Sequence, residues 1–163
     1  MYRSGVRPAS LPEIRLLSVL MTMVDLPAIR CVGALIHDPS GRLLLVLRGN
    51  DPGRGLWSVP GGKVEPGEAD DEAVRREVAE ETELSVTVGE LCGMVERPAP
   101  GGVFLIYDYL CTPVSGTAVA GSDADDVRWV DAAEFAALHT EGQLVDLLAE
   151  TLWEWGVLRP PSR

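Results

Sequence analysis

The chain has 163 residues, 46% of them hydrophobic and 24% charged, enough for one domain that buries about 70% of its unfolded surface. Its 25 acidic residues against 14 basic ones give a net charge of −11, which excludes a stable nucleic-acid binder because no basic stripe is left to neutralise phosphates. Cys31, Cys92 and Cys111 stand far apart with no CxxC pair, which argues against a disulfide framework or a zinc site and for buried free thiols in a reducing cytoplasm.

Residues 1–26 read differently from the rest. Arg3, Arg7 and Arg15 precede the apolar run Leu16 to Val24, a pattern that mimics the first two regions of a secretory signal. Ser18 and Thr22 interrupt that run, no Ala-x-Ala site follows it, and it falls far short of the ~20 residues that cross a membrane. Met21 and Met23 are alternative starts. The expectation is an N-terminal extension over 1–26, mobile, loosely docked or in part a start-site artefact. A domain over 27–158 and a frayed tail over 159–163 follow, with no membrane partner.

Ile29 to Ile36 (IRCVGALI) reads as a buried strand that ends at the turn His37 to Gly41. Arg42 to Leu47 (RLLLVL) is a second apolar strand, expected to pair with the first as a hairpin. Arg48 closes it, and its planar fork of donors matches phosphate oxygens; a plain surface arginine at a strand end is the alternative. Trp57 is expected to pack beneath the glycine-rich turn Pro60-Gly61-Gly62.

A second turn at Pro66-Gly67 leads to the acidic helix start Glu68, Asp70, Asp71 and Glu72, where carboxylates suit the positive end of the helix dipole. Val74 and Val78 stand four apart on the inward stripe of the helix AVRREVAEET. Glu77, Glu80 and Glu81 fall at i, i+3 and i+4, which puts three carboxylates on one face. Such hard oxygens suit Mg²⁺ or Mn²⁺; a solvated acidic face is the other reading.

Read from Gly62, the chain gives glycine, five residues, Glu68, seven residues, and then Arg76-Glu77-Val78-Ala79-Glu80-Glu81. This stretch, Gly62 to Leu84, resembles the Nudix box, the signature of a family of metal-dependent pyrophosphohydrolases, and Trp57 to Gly61 extends the resemblance upstream. The one departure is Glu83, where the family's box carries glycine before the aliphatic residue. A glycine there ends the helix in a left-handed conformation, which a residue with a Cβ adopts less readily, so a modest structural penalty is expected.

The resemblance implies an α/β fold, a Nudix-type α/β/α sandwich with a mixed β-sheet. It also implies Mg²⁺ or Mn²⁺ held by Glu77, Glu80 and Glu81, with the backbone carbonyl of Gly61 completing the set. Arg76 would orient those carboxylates, and Arg48 would face the phosphates of a small-molecule nucleotide substrate. Family members are often homodimers.

Beyond the box, SVTVGELCGMVERP and VFLIYDYLCTPV have strand character and are separated by the loop Pro98 to Gly102. The acidic loop Gly121 to Asp126 precedes the strand Val127 to Val130. It begins like an EF-hand but lacks the glycine and distal glutamate that such a site requires. In the resembling family this loop often supplies a further acid. Asp123, six residues before Trp129, has the matching spacing, with Asp125 and Asp126 as competitors and Gly121 as the expected hinge of a closing loop. The general base is therefore Glu77 or Asp123. Two helices end the chain, Ala132 to Leu138 and a stripe of Leu144, Leu147, Leu148, Thr151, Leu152 and Trp155.

The reading that follows is metal-dependent hydrolysis of a pyrophosphate bond in a nucleoside diphosphate joined to another group. ADP-ribose or a related sugar is favoured, because Pro100 lies sixteen residues past Leu84, as in the ADP-ribose pyrophosphatases of the resembling family. A nucleoside triphosphate pyrophosphohydrolase, or a domain that senses nucleotides without cleaving them, is the alternative.

Overall fold

The computed structural model describes residues 26–159; the expectations for the N-terminal extension before Leu26 and for the tail after Arg159 lie outside the described residues. Strand β1 (Ala28–Ile36) is buried on both faces from Cys31 onward. It lies inside a four-stranded sheet, antiparallel to β4 (Gly61–Lys63) and parallel to β6 (Gly102–Ser115), with β5 (Ser85–Ala99) antiparallel at the far edge. A three-stranded sheet places β2 (Leu43–Arg48) between β3 (Trp57–Ser58) and β7 (Ala124–Val130). Helix α1 (Asp70–Thr82) follows β4, and α2 (Ala132–Thr140) and α3 (Leu148–Glu154) end the chain.

Alternation along the strands sorts the core into two layers. Val32, Ala34, Ile36 and Leu44 pack with Val74 and Val78 of α1, whereas Leu35, Leu43 and Leu45 pack with Phe135 of α2 and Leu152 of α3. Helices therefore cover both sides of the strand layers, as an α/β/α sandwich with a mixed sheet requires.

Four local expectations change. The β1–β2 hairpin does not form: Asp38 closes the turn by accepting from the backbone N–H groups of Ser40 and Arg42, but only His37 and Leu43 bridge before the strands part into different sheets. Each strand, buried on both faces, needs neighbours on both edges and finds them elsewhere. The β5–β6 pairing runs through Pro98 and Ala99 to a tight turn at Pro100-Gly101, so the expected loop is mostly strand. Pro98 is tolerated because β5 is an edge strand and its missing donor breaks no ladder. Strand β7 starts at Ala124, earlier than Val127; Asp126 pairs with Leu47 of β2, and Asp125 is skipped at the register shift before Ala124 meets Arg48. Finally, Leu144 is not helical; it bridges Trp57, and α3 begins only after Leu147 adopts φ 61°.

Two features of this fold carry strain. Glu83 ends α1 at φ 59°, its N–H donating to the Ala79 carbonyl, in the left-handed conformation where a glycine was the expected residue. Asp108, in the middle of β6, is 6% exposed, and its Oδ1 has no hydrogen-bond partner among the described residues. Burial pushes this carboxyl from the ordinary 3.8 up to about 6, against a weaker pull from Arg97.

Removing the left-handed strain through Glu83→Gly is expected to stabilise the protein by about 1 kcal/mol, which thermal unfolding reads as a rise of about 2–4 °C in Tm. For Asp108, the folded state holds a proton that the unfolded state has released, so its contribution to stability falls as pH rises from about 4 to about 6 and stays lost above. Asp108→Asn should therefore gain on the wild type by on the order of 3 kcal/mol between pH 4 and pH 8; parallel urea-unfolding curves across that range would contradict the assignment.

Candidate active site

The site is built where α1 meets β4. The start of α1 is fixed to the sheet by Asp70, which accepts from Arg30 Nε at 2.7 Å, from Arg30 Nη2 at 2.6 Å and from the Tyr109 hydroxyl. Arg30 in turn lies 3.9 Å from the Tyr107 ring centroid. The Arg30 guanidinium holds the Asp70 carboxyl below the usual carboxylate range.

One turn and a half further on, Arg76 lies across the site. It donates to both oxygens of Glu68, at 2.7 and 2.8 Å, to the Lys63 carbonyl at 3.0 Å and to Glu77 Oε1 at 2.7 Å. Its contact with Glu80 is longer, 3.4 Å. The bidentate hydrogen bond from Arg76 pulls the Glu68 carboxyl down to about 2. Glu68 is a residue to which the sequence reading gave no role in the site; its fixed distance from Arg76 in the box was the available signal.

Glu77 folds back over Gly62, where a Cβ would fall 2.4 Å from Glu77 Oε1. Any larger residue there would displace that carboxylate. Glu81, 8% exposed, accepts from the Gly61 N–H at 2.9 Å. Burial drives its carboxyl up to about 7, with Glu77 and Asp123 adding repulsion and the Gly61 N–H and Arg48 opposing. Burial also raises Glu77, against the hydrogen bond from Arg76.

These groups border a cleft lined by Arg48, Gly49, Asn50, Gly61, Glu77, Glu81 and Asp123. Five of the residues singled out in the sequence thus meet, and Glu80 does not: its side chain is 42% exposed and rests against Arg76. Among the described residues no three His, Cys, Asp or Glu side chains converge as a ready metal cage, because each box carboxylate turns to a protein donor. The donor set nevertheless fits a hard cation. Two largely buried carboxylates repel each other beside a third acid, and a divalent ion would relieve both the repulsion and the cost of burial.

Arg48 enters the cleft from the end of β2, with its Nε donating to the Pro52 carbonyl at 2.6 Å. Asp123 enters from the segment before β7, and here the expected hinge is overturned. The Gly121 N–H donates to the Glu81 carbonyl at 3.0 Å and the Val119 N–H to the Thr82 carbonyl at 3.0 Å. A Cβ on Gly121 would stand 1.9 Å from the Glu80 carbonyl oxygen. The glycine serves close approach to the end of α1, not motion. With Asp125 and Asp126 drawn into β7, Asp123 is the acid of this segment that lines the cleft. Trp57 is 5% exposed in the core, with Arg128 stacked 4.8 Å from its ring centroid, so packing is its role.

A family model described as NUDIX domain matches residues 27–149. The chain is 36% identical over 107 residues to an ADP-ribose pyrophosphatase of Methanocaldococcus jannaschii, covering 64% of this chain and 62% of that protein, less than two thirds of the relative's length. It is 32% identical over 127 residues to a MutT-like protein of Streptomyces ambofaciens, covering 78% of this chain and 79% of the relative. The crystal structure of a MutT protein from Methanosarcina mazei Go1 superposes with a TM-score of 0.72 at 27% identity, over 81% of this chain and 95% of that one.

Proposed function

The chain belongs to the NUDIX family of hydrolases, and we propose that it hydrolyses the pyrophosphate bond of a nucleoside diphosphate joined to a second group, ADP-ribose or a related nucleoside diphosphate sugar. The observation that carries this reading is the cleft itself, whose lining brings one arginine fork, Arg48, together with the carboxylates Glu77, Glu81 and Asp123. A polyanion held by an acidic protein needs a cation between the two, and the residues present fit one. Glu77, Glu81 and the Gly61 carbonyl would hold Mg²⁺ or Mn²⁺, with Glu80 reaching in from the exposed side. When bound, such an ion neutralises phosphate oxygens and makes water more acidic.

The chain's own groups supply the rest. Arg48 donates to the phosphates in a fixed plane, because its Nε is already tied to the Pro52 carbonyl. Arg76 keeps the Glu77 carboxylate over Gly62. Since that hydrogen bond engages Glu77, we assign proton removal from the attacking water to Asp123, a role worth typically 10²–10⁴ in rate.

A second reading, hydrolysis of a nucleoside triphosphate, has its own support in the likeness to a CTP pyrophosphohydrolase of Escherichia coli, 34% identical over 87 residues. A nucleotide sensor without catalysis is disfavoured, since the carboxylates of the box are all present. No helix among the described residues is long and apolar enough to cross a membrane.

Steady-state kcat/KM for ADP-ribose against dGTP, 8-oxo-dGTP and CTP, with and without Mg²⁺, tests the reading; a preference of about tenfold for any triphosphate overturns the choice of substrate. At saturating Mg²⁺, Glu81→Gln is expected to lower kcat by at least ~100-fold, roughly 2.7 kcal/mol of barrier. Asp123→Asn should lower kcat more than it raises KM, while Asp125→Asn leaves both near wild type. The reverse order of these two variants would move the proton to a different acid.

A further inference from the structure

One row across the four-stranded sheet has a composition that packing alone does not explain. In strand order its members are Gly61 of β4, Gly33 of β1, Asp108 of β6 and Gly93 of β5. Three positions lack a side chain, so Asp108 is the one member of the row that projects a side chain from the sheet. It lies over Gly33: a Cβ there would meet Asp108 Oδ1 at 1.9 Å and Val59 Cγ2 at 3.4 Å. On its other side, a Cβ on Gly93 would enter the Trp155 ring at 2.4 Å. The carboxylate therefore leans away from the tryptophan and along the row toward Gly61, which lines the cleft.

A buried carboxylate oxygen without a donor destabilises the fold, and an unpaired group of this kind calls for an explanation. A valine or isoleucine would suit the apolar strand VFLIYDYLC equally well. The neighbouring side chains do not repair the defect. Arg97 is turned to its own partners, the Glu96 carbonyl at 2.9 Å and the Thr151 hydroxyl at 2.9 Å. Val59 and Trp155 offer it no hydrogen bond.

What the position lacks is a donor brought from outside. Two strand spacings, about 10 Å, separate β6 from β4 at the cleft, a distance that a ribose and its base can bridge. Val59, 9% exposed, borders that path, with its Cγ2 3.4 Å from the Cβ position on Gly33, and would have to yield to an incoming base.

We propose that Asp108 is a specificity-determining residue that accepts a hydrogen bond from the exocyclic amino group of the substrate's base, so that adenine and cytosine are preferred to hypoxanthine and uracil. This rests on the pyrophosphohydrolase reading above and narrows its substrate class. An ionised carboxylate is acceptor-only: it rewards an amino group and faces the keto oxygen of the counterpart base with a second acceptor. A site built this way discriminates more sharply than an apolar pocket, because the wrong base leaves buried polar groups unpaired.

The test compares kcat/KM within amino–keto pairs, ADP-ribose with IDP-ribose, ATP with ITP and CTP with UTP, for the wild type and Asp108→Asn at saturating Mg²⁺. The amino member of the hydrolysed pair is expected to lead by about tenfold or more in the wild type. In Asp108→Asn, whose carboxamide can donate to a keto oxygen, that lead should vanish or reverse. Equal values within the pairs for the wild type overturn the inference and leave the proposed reaction standing. A lead that survives undiminished in Asp108→Asn overturns it as well. Should Asp108→Asn fail to fold, Asp108→Ser takes its place, with the lead again expected to vanish. If none of the six nucleotides is hydrolysed, the proposed reaction fails, and calorimetric affinities for the same pairs decide the inference: about tenfold tighter binding of the amino members supports it, and equal binding refutes it.

Discussion

The guanidinium of Arg76 is the contact on which the geometry of the site depends. It joins three pieces of chain that would otherwise be independent: the end of β4 through the Lys63 carbonyl, the turn before the helix through Glu68, and the helix itself through Glu77. A lysine carries the same charge but lacks the planar fork, so it cannot satisfy the two Glu68 oxygens and reach Glu77 together. Because the group lies partly inside the protein, its hydrogen bonds are screened less than those of an exposed pair. The box is thus a clamp first, and its ligand-like carboxylates are placed by that clamp.

The two sheets supply the other half of the placement. With β1 buried on both faces and β4 along its edge, Gly61 presents its N–H to Glu81 from a strand that cannot shift without breaking a pairing. Arg48 stands at the end of β2, where the register with β7 slips between Leu47 and Arg48. Such an irregularity re-aims a side chain, and here it coincides with the strand end from which the arginine reaches the cleft. Both arms of the site therefore come from strand termini held by core packing.

Much of this was legible in the sequence, for physical reasons that differ between elements. The box could be read because close approach leaves a mark: Gly62 beneath Glu77, and Glu68 at the reach of Arg76, allow few substitutes. The left-handed end of α1 was legible from the family glycine that Glu83 replaces. Pairing between strands was not, because IRCVGALI and RLLLVL are apolar on both faces, and such runs carry no alternation to say which edge meets which neighbour. Gly121 misled in the opposite direction, since a glycine demanded by a nearby carbonyl looks in sequence like one kept for flexibility. Asp108 announced itself only as a charge inside an apolar strand. Its meaning depends on Gly33 and Gly93, which are distant in sequence and adjacent only through register.

The bonding of the 119–121 segment to the end of α1 has a mechanical consequence. The carbonyls of Glu81 and Thr82 would ordinarily fray into water as the last turn of a helix does, but here Gly121 and Val119 occupy them. The last turn of α1 and the segment that carries Asp123 therefore open and close as one cooperative unit. The same segment is also tied to the arginine, because Arg48 at the end of β2 pairs with Ala124, the residue that follows Asp123. The stretch from Val119 to Ala124 is thus a brace between the end of α1 and the end of β2, and the gap that a bound polyanion and its cation would fill is spanned by bonded backbone.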